Sequence, residues 1–152
     1  MTPVLRDGGS ADIAAMMQVM TSAFDPAYGE AWNQGQCLGI LSLPDTWLTF
    51  AQVEEVAVGF ALNRFLVEEA ELLLLAVAPE QRRQGVARAL IERTAADAER
   101  RGARRLLLEV RADNEAIDLY RQAQFAEIGR RRDYYRGPSG LRDAITLARP
   151  LG

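Results

Sequence analysis

Residues 72–90 read Leu-Leu-Leu-Leu-Ala-Val-Ala-Pro-Glu-Gln-Arg-Arg-Gln-Gly-Val-Ala-Arg-Ala-Leu, an apolar run followed by an arginine-rich turn and a regular apolar pattern. The run predicts a buried strand over 71–77 that ends at Pro79, and the pattern predicts a helix over 85–101. The first turn of a helix exposes unpaired N–H groups at the positive end of its dipole, where phosphate binds. Gly85 lets the backbone approach an anion closely. The segment therefore predicts a phosphate site; an ordinary connection with solvated arginines is the alternative.

Apolar periodicity on both sides of this segment predicts a mixed α/β protein. Further helices are predicted over 12–24, 30–41 and 116–123, and further strands over 46–52, 56–65, 104–110, 125–132 and 141–149, with a short first strand at Val4 and Leu5. Because most of these strands follow one another through short turns, we expect a three-layer α/β/α fold with a mixed, largely antiparallel sheet. The 152 residues contain no repeat or linker and predict a single domain over 1–152.

The composition excludes several classes of catalytic site. All 18 basic residues are arginine and histidine is absent, which excludes histidine-based triads, His-ligated metals and lysine Schiff bases. The single cysteine, Cys37, excludes an internal disulfide. We therefore expect no metal, and acid–base roles fall to carboxylates, tyrosine, the thiol or water. The longest apolar run is about a third of a membrane span and the N-terminus has no apolar signal core, so we expect a cytoplasmic protein without membrane attachment.

The charge is divided unevenly along the chain. Residues 1–80 carry two arginines and eleven acids, a net charge of −9, whereas residues 81–152 carry sixteen arginines and ten acids, a net charge of +6. One half suits a cationic ligand and the other an anionic one. Solvated helix faces are the alternative explanation.

Residues 82–87, Arg-Arg-Gln-Gly-Val-Ala, match the R/Q-x-x-G-x-G/A loop by which the GCN5-related N-acetyltransferase (GNAT) superfamily wraps the pyrophosphate of coenzyme A. Further motifs resemble the branch that acetylates the N-terminal alanine of a ribosomal protein. They are Leu-Glu-Val-Arg-Ala-Asp-Asn at 108–114, Leu-Tyr at 119–120, Gly-Arg-Arg-Arg-Asp-Tyr-Tyr at 129–135 and Asp-Ala-Ile at 143–145. The resemblance covers about residues 70–150.

This resemblance implies acetyl-CoA as the cofactor and a splayed pair of strands that binds it. The pantetheine arm would pair with the exposed backbone of the strand before the loop, like an added strand. A backbone N–H near Val77 would face the thioester oxygen as charge develops there. The implied cofactor contacts are Leu75, Ala76, Val77, Arg82, Arg83, Gln84, Gly85, Val86, Ala87, Arg88 and Asn114.

Glu109 is the candidate general base. It lies in an apolar strand beside the presumed cofactor strand, where a buried carboxylate has a raised pKa and can take a proton from an ammonium group, through water. A structural ion pair with Arg111 or another arginine is the alternative. The resemblance favours the general base.

Tyr120 is the candidate general acid. By composition alone it is a core tyrosine, but in the resembling family the tyrosine of this Leu-Tyr pair protonates the departing thiolate. The spacing from Asn114 to Tyr120 is one residue shorter than in the family, which bears mainly on the coenzyme contact of Asn114. Gln124 stands where the family has glycine, and a non-glycine residue in a left-handed conformation there costs about 1 kcal/mol.

Residues 130–136, Arg-Arg-Arg-Asp-Tyr-Tyr-Arg, allow three interpretations. The resemblance implies an acceptor-peptide groove lined by Tyr134 and Tyr135; the alternatives are a hairpin with exposed arginines and an RNA-binding patch. In the N-terminal half, aromatic and acidic residues fit the two-helix region that covers the acceptor site in the superfamily, although docking of aromatics into the core explains each singly. These residues are Phe24, Asp25, Tyr28, Glu30 and Trp32.

The sequence therefore predicts an acetyl-CoA-dependent N-acetyltransferase acting on a protein or peptide N-terminus, such as that of a ribosomal protein, by direct attack in a ternary complex. We expect no direct binding of nucleic acid, and a monomer or homodimer. Two alternatives remain, a small-molecule amine acetyltransferase and a non-catalytic acyl-CoA-binding regulatory module.

Overall fold

Seven strands and four α-helices make up the described part of the chain, residues 2–24, 30–138 and 140–152 of a computed structural model. The strands are β1 (Val4–Gly8), β2 (Thr46–Val53), β3 (Val56–Leu66), β4 (Glu69–Val77), β5 (Arg105–Arg111), β6 (Ala126–Gly137) and β7 (Gly140–Pro150). The helices are α1 (Ile13–Ala23), α2 (Gln34–Leu41), α3 (Val86–Arg100) and α4 (Ile117–Gln122). No helix in these described ranges is long and apolar enough to cross a membrane.

All seven strands belong to one sheet in the order β1-β2-β3-β4-β5-β7-β6. Every neighbouring pair is antiparallel except β4 and β5, which run parallel because α3 crosses over between them. The predicted mixed, largely antiparallel sheet is therefore confirmed. The β2–β3 hairpin turns at Glu54 and Glu55, between the two predicted strands, and these residues have positive φ angles of 52° and 67°.

Helices cover both faces of the sheet and each face has its own apolar core. On one face α1 packs Met16 and Met20 against Phe50 and Phe60 of the sheet. On the other face α3 packs the side chains of its regular apolar pattern, Val86, Leu90, Ile91 and Ala98, against the sheet. These two cores confirm the three-layer α/β/α architecture.

The helix predicted from residue 30 starts later, at Gln34. Asn33 caps it, since its side chain accepts a hydrogen bond from the backbone N–H of Gln36 at 2.8 Å, and the Gln36 side chain accepts one from the Asn33 N–H at 2.8 Å. This reciprocal cap fixes the start of the helix. Residues 30–33 are consequently non-helical, and they lead into the cleft described below.

Candidate active site

A cleft of about 540 Å³ opens where β4 and β5 diverge. The two strands pair at only three positions, from Glu69–Arg105 to Glu71–Leu107, although both continue further. Leu73 is an extra residue in β4 opposite the Leu62–Asn63 step of β3, and such a bulge bends a strand. The predicted splayed strand pair is therefore present. The predicted site residues that line the cleft are Trp32, Leu75, Glu109, Asn114, Tyr120, Tyr134 and Tyr135.

The backbone of β4 presents alternate residues to this cleft. Ala78 donates its N–H to the carbonyl of Val58 at 2.8 Å, so the polar groups of Ala78 and Ala76 face β3. Those of Leu75 and Val77 face the opposite way, toward β5. Of the three predicted backbone contacts, Leu75 and Val77 are thus directed into the cleft, whereas Ala76 bonds within the sheet.

The predicted phosphate loop precedes α3 and contains two residues with left-handed backbone conformation. Arg83 has a φ of 63° and Gly85, the residue before the first turn of α3, has a φ of 84°. A Cβ at Gly85 would meet nothing within 4 Å, so the backbone angle, and not crowding within the protein, favours glycine there. Val86 is buried beneath the loop, while Gln84 donates to the Glu80 carbonyl at 3.3 Å. The first turn of α3 follows directly, with its N–H groups at the positive end of the helix dipole, where an anion binds favourably.

Two arginines of the predicted phosphate site have partners within the protein. Arg82 donates to the Ala23 carbonyl at the end of α1 at 2.7 Å and to the Val77 carbonyl at 3.4 Å. Arg88 is ion-paired with Glu92 one turn further along α3, at 2.9 Å. Arg82 thus ties the loop to the helix on the other side of the cleft.

Glu109 lies on β5 with its carboxylate at the cleft and 24% of its side chain exposed. Both of its oxygens are bonded to Arg131 of β6, Oε2 to Nε at 3.0 Å and Oε1 to Nη2 at 2.5 Å. The arginine partner expected under the alternative interpretation is therefore present. It is Arg131 rather than Arg111, which pairs with Glu30.

Tyr120 lies on α4 and contributes to both the core and the cleft wall. Its ring is 6% exposed and packs edge-on against Phe125, with ring centroids 5.8 Å apart. Burial, reinforced by the negative charge of Glu30, raises the pKa of the Tyr120 phenol above its ordinary value. The phenol therefore stays protonated across the physiological range, as a proton donor requires.

Consecutive tight turns absorb the shortened connection between β5 and α4. The Asn114 N–H donates to the Arg111 carbonyl at 2.9 Å, and the Asn114 side-chain oxygen accepts from the Ala116 N–H at 2.8 Å. With this compact loop, Tyr120 still reaches the cleft. The side-chain oxygen of Asn114 is bonded within the turn, so the side-chain NH₂ group is left to bind a ligand.

Tyr134 and Tyr135 form the β6 wall of the cleft. Their rings meet edge to face with centroids 5.1 Å apart, and the Arg131 guanidinium lies 3.9 Å from the Tyr134 ring centre. Burial, together with the nearby charges of Glu109 and Glu30, raises the pKa of Tyr135 to about 12. Trp32 and Phe24 line the facing side, whereas Asp25 and Tyr28 lie outside the described residues.

Sequence reasoning missed the ion pair that anchors the segment before α2. Glu30 lies in the cleft with 17% of its side chain exposed and pairs at 2.5 Å with Arg111, which is 11% exposed. Arg111 also bonds Asp113, which in turn bonds Arg142 at 3.1 Å. The one feature of the sequence that could have indicated this ion pair was Arg111, an arginine at the end of an apolar strand. Within residues 2–24, 30–138 and 140–152 no cluster of three metal-ligating side chains occurs.

The chain resembles known proteins in both sequence and fold. Residues 13–125 match the sequence profile of the Acetyltransferase (GNAT) family. The chain is 44% identical over 94 residues to the [Ribosomal protein bS18]-alanine N-acetyltransferase of Escherichia coli strain K12, a match that covers 61% of this chain and 64% of that protein. The match thus spans less than two thirds of that relative.

A longer match is to the protein of the same name from Haemophilus ducreyi, 33% identical over 119 residues, with 77% of this chain and 81% of that protein covered. Among solved structures, the ribosomal-protein-S18-alanine N-acetyltransferase of Escherichia coli superimposes with a TM-score of 0.89 at 30% identity, covering 99% of this chain and 94% of that one.

Proposed function

Because this chain belongs to the acetyltransferase (GNAT) family, we propose that it transfers the acetyl group of acetyl-CoA to the N-terminal amine of a protein, with a ribosomal-protein alanine as the acceptor. The observation that carries the proposal is the cleft where β4 and β5 diverge. Leu75 of the open β4 edge lines this cleft together with Glu109 and Tyr120, and β4 leads along the chain to the glycine loop before α3. Support for the acceptor comes from the relatives, which are named for this reaction.

The residues present fit a coenzyme A molecule. Leu75 and Val77 offer main-chain groups that lack a strand partner on the β5 side, which suits the amides of a pantetheine arm. The left-handed Gly85 and the N-terminus of α3 suit a pyrophosphate. Bound acetyl-CoA supplies a thioester carbonyl to the attacking amine.

The side chains of the cleft then have separate roles in the proposed reaction. Glu109 accepts the proton that the ammonium group must lose before its nitrogen can attack. The Val77 N–H faces the carbonyl oxygen as negative charge develops on it. Tyr120 donates its phenolic proton to the sulfur as the carbon–sulfur bond breaks, and solvent reprotonates it. Holding the two reactants side by side supplies much of the acceleration.

The test uses acetyl-CoA and a peptide that has a free N-terminal alanine and one internal lysine, with tandem mass spectrometry to locate the acetyl group. We expect acetylation of the alanine nitrogen. Acetyl on lysine would refute the acceptor, and acetyl on neither amine would refute peptide acetylation and direct attention to small amines or to a non-catalytic module.

Two variants separate binding from chemistry. Gly85→Trp places a large side chain at the α3 N-terminus and should abolish acetyl-CoA binding, measured by calorimetry. Glu109→Gln should lower turnover while leaving acetyl-CoA affinity nearly unchanged. Full turnover in Glu109→Gln would remove Glu109 from the role of base.

A further inference from the structure

Arg131 links the candidate base to the wall of the cleft. Its guanidinium bonds both oxygens of Glu109, and the same group lies over the ring of Tyr134. One side chain therefore contacts a proposed catalytic group and a residue of the proposed acceptor groove at the same time. The connection spans two strands, since Glu109 is on β5 and Arg131 on β6, with β7 between them.

The geometry distinguishes this pair from an ordinary surface ion pair. A bidentate contact between guanidinium and carboxylate fixes the orientation of both groups, whereas a single hydrogen bond does not. Glu109 is the less exposed partner, at 24% against 56% for Arg131, so the carboxylate is held at the cleft while the arginine approaches from solvent. The adjacent Arg132 is exposed and makes no such contact among the described residues.

Other charged and titratable groups share the cleft with Glu109. Glu30, Glu71 and Arg136 line it, and Tyr134 and Tyr135 approach from β6. Among the ion pairs of the described residues, the partner of Glu109 is Arg131. The positive charge of Arg111 on the same strand is shared between Glu30 and Asp113.

We propose that Arg131 is a positioning residue for the proposed acetyl transfer, which aims the Glu109 carboxylate into the cleft and fixes its orientation there. The inference rests on the proposed function, in which Glu109 is the base. Both Glu109 oxygens are bonded to Arg131, so proton acceptance requires that one bond open. The proton then moves from the acceptor nitrogen to the freed oxygen, while Arg131 retains the other oxygen.

The test compares Arg131→Leu, which removes the charge, with Arg131→Lys, which keeps the charge but loses the bidentate geometry. Arg132→Leu is the matched control, since it removes the same charge from the neighbouring position of β6. Two readouts are measured at pH 7: kcat and KM for the alanine peptide, and the carboxyl ¹³C shift of Glu109, identified by its absence in Glu109→Gln. Thermal unfolding shows that each variant is folded.

Arg131→Leu should lower kcat for the alanine peptide by about tenfold or more, because the Glu109 carboxylate is no longer held in one orientation in the cleft. The Glu109 carbon resonance should also move in this variant. Arg131→Lys should lower kcat as well, since an ammonium group does not reproduce the bidentate contact. Arg132→Leu should leave both readouts near their wild-type values, since Glu109 pairs with Arg131 and not with Arg132.

The outcomes separate the two proposals. An unchanged kcat in Arg131→Leu, with Glu109→Gln inactive, would overturn this inference and leave the proposed function intact. Full activity of Glu109→Gln would overturn the base assignment and this inference with it. The carbon shift needs no acceptor, so an unmoved Glu109 resonance in Arg131→Leu overturns the inference even if the peptide is not acetylated. If Arg131→Leu does not fold, an unchanged kcat in Arg131→Lys overturns it.

Discussion

We expect the Gln124→Gly variant to be more stable than the wild-type protein, because Gln124 holds a left-handed backbone conformation with a φ of 75°. It follows the last turn of α4, where the Gln124 N–H donates to the Arg121 carbonyl at 3.0 Å and the Phe125 N–H donates to the Tyr120 carbonyl at 3.0 Å. This is the hydrogen-bond pattern of a Schellman motif, whose left-handed position favours glycine. The motif holds the ring of Phe125 against Tyr120.

The expected gain follows from two opposing contributions. A residue with a Cβ in the left-handed region costs about 1–2 kcal/mol. Glycine has more freedom in the unfolded chain, which offsets about 0.4–1 kcal/mol of this relief. Gln124 is exposed, so its removal costs no core packing. The net gain of about 0.5–1 kcal/mol corresponds to a rise in Tm of about 1–4 °C for a chain of this length.

The protein contains its own reciprocal control at the end of α3. Gly102 has a φ of 92°, its N–H donates to the Glu99 carbonyl at 3.0 Å, and the Ala103 N–H donates to the Ala98 carbonyl at 3.0 Å. A Cβ at Gly102 would meet nothing within 4 Å, so Gly102→Gln introduces backbone strain without a steric clash. We expect Gly102→Gln to lose about 1 kcal/mol.

Urea unfolding followed by circular dichroism measures both variants against the wild type. A Gln124→Gly protein no more stable than the wild type, alongside a destabilised Gly102→Gln, would refute the attribution of strain to Gln124. If neither variant differed from the wild type, the left-handed angles would carry no energetic cost in this protein.

Three further predictions concern the site, the sheet and the response to acid. Tyr120→Phe should lower kcat by about 10²-fold or more with acetyl-CoA affinity unchanged. Because burial raises the pKa of Tyr120, wild-type kcat/KM should show no alkaline decline from this phenol up to pH 10. A decline near pH 8 that disappears in the variant would contradict this. Gly59→Val should destabilise the protein by about 1–3 kcal/mol in urea unfolding, since a Cβ there would lie 2.9 Å from the Ala76 carbonyl oxygen; an unchanged unfolding midpoint would refute the close approach. The hydrogen bond from Arg149 holds the pKa of Glu92 below its unfolded value, so the pair stabilises above about pH 4.5 and loses this effect as the pH falls. Arg149→Leu should therefore be less stable at pH 7, by under about 1 kcal/mol for so exposed a carboxylate, and thermal unfolding should show the difference narrowing toward pH 3; a difference independent of pH would point to packing instead.

Local patterns predict the elements that local physics determines. The apolar periodicity of α3 predicts its inward face, because that face repeats every three to four residues whatever surrounds it. The start of α2 was wrong by four residues, since the cap at Asn33 outweighs the apolar pattern before it. The strand predicted over 125–132 extends to Gly137, because β7 pairs with it beyond a bulge near Asp133. Local sequence patterns do not reveal this pairing with β7.

The residues of the candidate site also differ in whether the sequence alone could suggest them. The glycine loop was suggested by its position between a buried strand and a helix, and Tyr120 by the resemblance of its Leu-Tyr pair to the family motif. Arg131 and its partner Glu109 are 22 positions apart, and the choice among sixteen arginines in the second half of the chain depends on which strand lies nearest. The partner of Glu109 was therefore out of reach of sequence reasoning.

The uneven charge of the two halves has a structural explanation. Acidic residues of the first half pair with arginines of the second, as in Asp7–Arg93 and Glu69–Arg105. The sheet brings the halves together, so much of the charge difference is neutralised within the folded protein. The charge split is consequently weaker evidence for a charged ligand than the sequence suggested.

The divergence of β4 from β5 also bears on how the protein avoids aggregation. Unpaired main-chain groups at the rim of a sheet attract strands of other chains, and proteins usually protect such rims with charge or a covering helix. Here the main-chain groups of Leu75 and Val77 that lack a strand partner lie inside a seven-stranded sheet, between β4 and β5, and Arg82 already bonds the Val77 carbonyl. The outermost strands of this sheet are β1 and β6. Since edge-to-edge association adds a strand at the rim of a sheet, the groups that would bind a ligand lie away from the rim where a neighbouring molecule would pair.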